Sequence, residues 1–532
     1  MQLTGKNHIG FQLTAHSKKE FKCFSSVTQE ELPTRYFEAS KAEVDQALKL
    51  AERGFKNYKQ LSPNDRARLL DQIALEIDNL GETLIKQAQL ETGLPESRLV
   101  GERSRTTGQL RFFAQHIREG SWVEATIDTA NTARHPVPKP DIRSLLGPIG
   151  PVVVFSASNF PLAFSVAGGD TASALAAGNS VVVKAHAAHA GTSELVAHAI
   201  TAAIKKCNLP EGIFSLIHGS SFEPGEQLVL HPSTRAVGFT GSLSGGRALM
   251  DLAQKREQPI PVFAEMGSTN PVFILEHALK SKPQALAKQL AGSVTLGVGQ
   301  FCTKPGLIIL MESQEAQVFE SAFIDEINAI SSAPMLHKGI ANSFDNAVTK
   351  TLAVSGVAEI SRSTDNRDAQ QVMGRPILAK VSAEAFLDTP LLHEEVFGPY
   401  SLVVTCKTQA DFERIANALQ GQLTVTILGQ GHDLANYQSL IEVINEKAGR
   451  LIYNGVPTGI EVCNAMHHGG PYPAASDARF TSVGLKAIKR FAKPVAYQNW
   501  PDHLLPQELQ NANPLKILRL VDDIYTSDSI SD

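Results

Sequence analysis

Pro151-Val152-Val153-Val154, the small-residue stretch from Phe164 to Ala177, and Ser180-Val181-Val182-Val183-Lys184 follow one another in the chain. The valine runs favour extended backbone and the stretch between them tolerates a closely packed helix, so the reading is strand, helix, strand. The alternation continues downstream. Gly212 to His218 reads as a strand, Glu223 to Leu230 as a short helix, Ala236 to Thr240 as a strand, Leu243 to Gln254 as a helix, and Val262 to Ala264 as a further strand. Between the second and third strands a helix starts behind Gly191-Thr192-Ser193, with a hydroxyl cap available and Glu194 in its first turn. Strands alternating with helices at these lengths predict an α/β fold with a parallel sheet covered on both faces. Ligands of such sheets lie outside the carboxyl ends of the strands. That rule directs attention to Asn159, Lys184, Ser220 and Gly241-Ser242, each just past a strand end.

Upstream, Lys41 to Gln60, Asp65 to Leu80, Gly81 to Thr92 and Thr107 to Glu119 read as helices after an irregular start. Arg134 to Arg143 carries three prolines and reads as an extended arm. A second βα region runs from about Asn270 to Val483, with strands at Leu307 to Met311, Ser401 to Cys406, Leu423 to Leu428 and Arg450 to Tyr453. After Phe491 the chain turns rich in Pro, Gln, Asn and Asp and reads as a strand and tail that need a partner surface.

A length of 532 residues exceeds one compact core and predicts two or three domains. The mild net charge of -5 and the lack of a long basic run argue against nucleic acid as a partner. The most apolar region, Val152 to Val183, is interrupted by Asn159-Phe160-Pro161 and Gly168-Gly169-Asp170, so no membrane span is expected. The polar start, Met1 to His8, lacks the apolar core of a signal peptide. Five cysteines (Cys23, Cys207, Cys302, Cys406, Cys463) without paired spacing fit a reducing compartment, and a cytoplasmic location is expected.

One of those cysteines stands apart. Gly299-Gln300-Phe301-Cys302-Thr303 places a thiol at the end of a small-residue stretch, where backbone approaches a ligand closely. A thiolate is a strong nucleophile, although most intracellular cysteines simply fill core space. Likewise Asn159 could merely hold its turn, and Glu265 could be an ordinary loop carboxylate. The segments decide the matter jointly. Ser158-Asn159-Phe160-Pro161, Phe239-Thr240-Gly241-Ser242, Phe263-Ala264-Glu265-Met266-Gly267, Gly299-Gln300-Phe301-Cys302 and Glu394-Glu395-Val396-Phe397-Gly398-Pro399 resemble the aldehyde dehydrogenase superfamily in order and spacing, from roughly Phe37 to Val495. The stretch Ala157 to Ala177 is most similar to the 2,5-dioxovalerate (α-ketoglutaric semialdehyde) dehydrogenase branch, with bacterial NADP-dependent fatty aldehyde dehydrogenases sharing much of it.

The resemblance implies two Rossmann-like domains and a small oligomerisation arm. The expected boundaries are 1–133 and 150–265 for the cofactor-binding domain, 266–485 for the catalytic domain, and 134–149 with 486–532 for the arm and tail. It implies that Cys302 attacks the aldehyde, that Asn159 and the Cys302 N–H hold the oxyanion, and that Glu265 activates water for thioester hydrolysis. It assigns Ser158, Lys184, Gly241, Ser242, Gly246, Glu395 and Phe397 to an NAD or NADP cofactor, with the helix N-terminus at Ser242 facing the pyrophosphate. The run Lys184-Ala185-His186-Ala187 lacks the glutamate that repels a 2′-phosphate in many NAD-preferring relatives, so NADP is allowed. Met266-Gly267-Ser268-Thr269-Asn270 departs from the Leu-Gly-Gly-Lys of many relatives.

Phe160, Phe164 and Phe301 are expected to line the substrate tunnel. Arg105, His467-His468 and Arg479 are candidates for a cation at its mouth. No catalytic metal is expected, and a homodimer or homotetramer follows by analogy. The expected substrate is a small aldehyde, 2,5-dioxopentanoate giving 2-oxoglutarate, with medium- or long-chain fatty aldehydes as the alternative. A cofactor-independent thiol esterase and a non-catalytic scaffold are the readings from other classes.

Overall fold

The computed structural model describes residues 2–363 and 372–530; residues 1, 364–371 and 531–532, which the expected domain boundaries include, lie outside them. The valine runs form the middle of a seven-stranded sheet. Its order is Val262–Glu265, Ala236–Thr240, Val152–Phe155, Val181–Lys184, Phe214–Ile217, Asn7–Ile9 and Gln12–Thr14. The first five strands run parallel and in register, so that Phe155 pairs with Lys184 and with Phe239, and Thr240 with Glu265. Five strand ends therefore share one edge.

Alternation along each strand divides the valines between two layers. Val152, Val154, Val181 and Val183 pack with Leu70, Phe113 and Leu175, whereas Val153, Val182 and Val237 pack with Val44, Leu48 and Leu249. Both faces are covered, which is why these strands read as unbroken apolar runs. Each such valine contributes on the order of 1.5–3 kcal/mol through burial.

A second seven-stranded sheet has the order Ala358–Arg362, Ile377–Ser382, Tyr400–Cys406, Leu307–Met311, Val272–Ile274, Gln422–Leu428 and Ala448–Tyr453, parallel except for its first strand. A third sheet joins Ala492–Gln498, Ile142–Pro148, Thr126–Asp128, Arg519–Val521 and Ile524–Thr526. It gathers the proline-rich arm and the tail, and also takes in Thr126–Asp128. The tail is anchored by the buried Arg519, whose guanidinium donates to the Gln510 and Asp528 carbonyls at 2.5 and 3.1 Å.

Three local expectations change. The helix expected over Phe164 to Ala177 begins only at Gly169. The Leu162 and Ala163 N–H groups donate to the Glu102 carboxylate at 2.8 and 3.0 Å, which fixes the preceding segment as a turn. The helix expected from Thr107 starts at Glu96 and runs to Glu119, because Glu102, Thr106 and Gln109 occupy its buried stripe and disguise the apolar period. The irregular start contains the hairpin Asn7–Ile9 and Gln12–Thr14, whose strands are too short to carry a pattern.

Candidate active site

The cysteine loop descends from the helix Pro283–Thr295 and leads into the strand Leu307–Met311. Its turn needs left-handed backbone at Gly297, Val298 and Gly299 (φ 57, 59 and 64°). For Val298, a β-branched residue, that conformation is strained. Gly299 is required on a second ground. A Cβ there would stand 2.3 Å from the Gly398 carbonyl, so the thiol loop and the Glu395-to-Pro399 segment touch backbone to backbone. Asn270 fixes the loop's other side, its amide donating to the carbonyls of Cys302 (2.8 Å) and Lys304 (3.0 Å).

Three of the expected catalytic residues meet here, with a fourth group among them. The Asn159 amide donates to the Gln300 carbonyl at 3.1 Å, which aims it at the cysteine loop and leaves its second N–H for another acceptor. No described residue accepts the Cys302 N–H. Glu265 ends its strand at the sheet edge, and its carbonyl accepts the Gly241 N–H at 3.0 Å, joining the carboxylate's strand to the cofactor-side turn. The Ser482 hydroxyl donates to its Oε2. Between thiol and carboxylate lies His468, with Nε2 3.4 Å from Cys302 Sγ and 2.8 Å from Glu265 Oε1. His467-His468 is one of the candidates for a tunnel-mouth cation; His468 is instead 1% exposed and lies against the Cys302 thiol. Nothing local in the sequence signals this, since 166 residues separate it from Cys302.

The electrostatics follow from those contacts. Burial pushes the Cys302 thiol well above its ordinary range, and the Glu265 charge pushes it further. Burial likewise raises Glu265, but the His468 ring 2.8 Å away and the hydrogen bond from Ser482 outweigh it and hold the carboxyl below its ordinary value. Moving the thiol proton to Nε2 creates an imidazolium flanked by two anions, a favourable arrangement away from bulk water.

The expected cofactor residues line the same edge of the first sheet. Lys184 Nζ donates to the Gly219 carbonyl at 2.5 Å, and burial lowers its pKa to about 8 against the pull of Glu38. Ser242 caps the helix Leu243–Gln254 by accepting the Gly245 N–H at 3.1 Å, and Gly241 to Ser244 are exposed. A Cβ at Gly241 would strike the Phe239 ring and one at Gly246 the Met266 sulfur, so both glycines are demanded by close packing. An exposed, capped helix N-terminus beside a strand-end lysine fits a dinucleotide pyrophosphate. His186 is held uncharged by burial and its neighbours His189, His337 and Lys184, so it supplies no cation for a phosphate. Ser158 lies half-buried beside Asn159.

Glu395 packs its carboxylate against Gly267, where an added Cβ would approach Oε2 to 2.6 Å. Burial raises Glu395 to about 7, opposed by Lys304 and the Ser268 N–H. Lys304, absent from the sequence reading, is 1% exposed and donates to the Val396 and Tyr400 carbonyls at 3.0 and 2.8 Å. It fixes the segment carrying Glu395 and the half-buried Phe397. The altered turn after Glu265 is occupied as well, with Ser268, Thr269 and Asn270 all bound to Gln422 Oε1.

The aromatic residues also converge. Phe160 stacks edge-on with Phe164 and Phe301, each at 5.3 Å between ring centres, and Phe164 faces the His468 ring at 6.5 Å. Of the other expected cations, Arg105 sits over Phe160 and Phe164, whereas Arg479 is exposed and paired with Asp477. Among the described residues no helix is long and apolar enough to cross a membrane.

Known proteins resemble this chain in sequence and fold. The Aldehyde dehydrogenase family pattern matches residues 13–472. Alpha-ketoglutaric semialdehyde dehydrogenase 2 of Azospirillum brasilense is 48% identical over 98% of this chain and 99% of its own. Alpha-ketoglutaric semialdehyde dehydrogenase of Acinetobacter baylyi is 44% identical over the same shares. Among solved structures, 3,6-anhydro-L-galactose dehydrogenase superposes with a TM-score of 0.79 at 19% identity, covering 93% of this chain and 99% of that one. A 1-pyrroline-5-carboxylate dehydrogenase from Thermus gives 0.77 at 20% identity, covering 93% and 92%. With a thiol, a carboxylate and an amide converging on one point beside a nucleotide-compatible sheet edge, and a family match over most of its length, this chain belongs to the aldehyde dehydrogenase family.

Proposed function

We propose that the enzyme oxidises 2,5-dioxopentanoate to 2-oxoglutarate with a nicotinamide cofactor, through a covalent intermediate on Cys302. The observation that carries the chemistry is the convergence of Cys302 Sγ, His468 Nε2 and Glu265 Oε1 beside the Asn159 amide. The substrate is supported by the near-full-length identity to two enzymes named for α-ketoglutaric semialdehyde.

In this reading His468 accepts the Cys302 proton and the thiolate attacks the aldehyde carbon, giving a thiohemiacetal. The free N–H of Asn159 and the Cys302 N–H hold the oxyanion, and one such donor is worth about 3–4 kcal/mol of barrier. A bound nicotinamide supplies the hydride acceptor that turns the thiohemiacetal into a thioester. Glu265 then takes a proton from the water that cleaves the thioester, releasing the acid and restoring the thiol. Lys184, Ser242 and the Gly241–Gly246 turn would hold the pyrophosphate and adenosine end. Glu395, set by Lys304, would receive the nicotinamide ribose, together with Phe397 and Ser158.

NADP and NAD are both accepted in this proposal, because no carboxylate follows Lys184 at the third position. Glu38 does stand near Lys184, but the Ser220 and Ser221 N–H groups and the Ser221 hydroxyl already occupy its oxygens. The proposed domains are those expected from the sequence, with copies of the chain meeting through the third sheet. Its edge strand Ala492–Gln498 and the exposed Ile524 and Tyr525 support that. Five unpaired cysteines suit a cytoplasmic setting.

The test is nicotinamide reduction with 2,5-dioxopentanoate, succinic semialdehyde, hexanal and decanal, each with NAD and NADP. Preference for 2,5-dioxopentanoate that vanishes in Cys302→Ala supports the proposal. Preference for decanal would move the substrate to fatty aldehydes, and no reduction by folded, reduced protein would sink the reading.

A further inference from the structure

We infer that Arg105 and Arg450 recognise a substrate carboxylate beside the phenylalanine cluster, so that the enzyme selects short aldehydes bearing a terminal carboxylate. This rests on the proposed dehydrogenase activity and names the residues behind its substrate class.

An apolar wall of Phe160, Phe164, Phe301 and Met466 would by itself favour alkyl aldehydes. Two guanidinium groups interrupt that wall. Arg105 projects from the helix Glu96–Glu119, its guanidinium carbon 5.2 Å from the Phe164 ring centre and 5.9 Å from that of Phe160. The Phe164 ring in turn faces His468, whose Nε2 touches the nucleophile, so Arg105 lies one aromatic ring away from the reacting thiol. Its Nε is buried without an acceptor. Glu102, Glu265, Glu461 and Cys302 all lie near enough to feel its charge, yet its contacts among the described residues are to the rings.

Arg98, two helical turns earlier, shows the contrast. It donates to the Asn159 carbonyl at 2.7 Å and stands 4.0 Å from Glu102, so it is committed to holding the Asn159 turn. Arg105 has no such commitment.

Arg450 comes from the strand Ala448–Tyr453 of the second sheet. Its Nη2 is held by the Pro457 and Gly459 carbonyls at 3.0 and 3.4 Å, and Nη1 rests 3.9 Å from the Met466 sulfur. Its Nε too is buried without an acceptor, and it feels the Cys302 charge. Arginine cannot shed its charge to relieve burial, so an orphaned Nε–H is costly until an anion arrives. A carboxylate accepts two parallel N–H bonds in the geometry that guanidinium presents, and the aromatic faces fix the plane of that fork for Arg105. The two arginines reach one apolar cluster, Arg105 from a helix and Arg450 from a strand of the second sheet.

The experiment compares kcat/KM for 2,5-dioxopentanoate with that for pentanal, an uncharged chain of equal length, using the full-length enzyme. Arg105→Gln is expected to lower the ratio of the two by about 10–100-fold, the loss typical for a hydrogen bond to a charged group. Arg105→Lys should recover part of it, and Arg450→Gln should lower the ratio in the same direction. The Arg450 and Lys variants keep the test standing should Arg105→Gln fold poorly. A ratio within threefold of wild type in both glutamine variants would overturn the inference while leaving the dehydrogenase intact. A wild-type enzyme that prefers pentanal would overturn the substrate reading itself.

Discussion

Replacing His468 by alanine tests the proposed site at its most connected point. The thiol of Cys302 is held protonated first by burial and then by the charge of Glu265. Attack therefore needs an acceptor for its proton, and Nε2 at 3.4 Å is within reach. A positioned base of this kind contributes about 10²–10⁴ in rate. Glu265 remains in the variant as a second acceptor, which places the expected loss at the lower end, about 10²–10³ in kcat, or roughly 3–4 kcal/mol of barrier.

Two assays read it: stopped-flow absorbance of the reduced nicotinamide for turnover, and alkylation of Cys302 by iodoacetamide against pH for the thiolate itself. Because the thiol pKa is raised well above its ordinary range, the thiolate fraction of wild type grows with pH only in the alkaline range. Without the imidazolium to balance it, the alkylation profile of the variant should move to higher pH. Added imidazole, entering the space left by the ring, should restore part of the rate. An alkylation profile that overlies wild type, with kcat within threefold of it, would refute the proton-transfer reasoning.

Two further predictions follow from neighbouring contacts. Glu395 is raised to about 7 mainly by burial, so it favours the folded apoenzyme while protonated; that contribution is present below its ordinary value and is lost as pH rises through about 7. The melting temperature of the apoenzyme should fall between about pH 5.5 and pH 8 while cofactor affinity rises, and a Glu395→Gln variant in which both slopes persist would exclude this group as their source. Gly299→Ala should cost about 2–4 kcal/mol in urea unfolding, since it combines a left-handed φ with a backbone clash at Gly398, and an unchanged midpoint would contradict the close approach.

The two-faced burial of Val152 to Val154 and Val181 to Val183 was legible because the apolar content of a parallel strand needs no partner to be read. The thiol, the carboxylate and the amide were singled out on other grounds: each alone has an ordinary explanation, and only the order and spacing of their segments, which resemble the aldehyde dehydrogenase superfamily, picks them out. Helix starts were less legible where polar side chains do the work of apolar ones. Glu102 both sits in the buried stripe of its own helix and captures the N–H groups that would have begun the next.

What the sequence determined by itself is the α/β class, written in local pattern, and the family, written in the order and spacing of the segments around Asn159, Glu265 and Cys302. His468 between Cys302 and Glu265, Lys304 under Glu395, and Arg105 and Arg450 around the phenylalanines were decided only by the tertiary structure. A histidine or an arginine carries no local pattern that tells a surface position from a buried one. Its pKa, its partners and its chemistry are set by residues from distant strands and loops, and these meet only when the sheets, the long helix and the loop leading to His468 pack together.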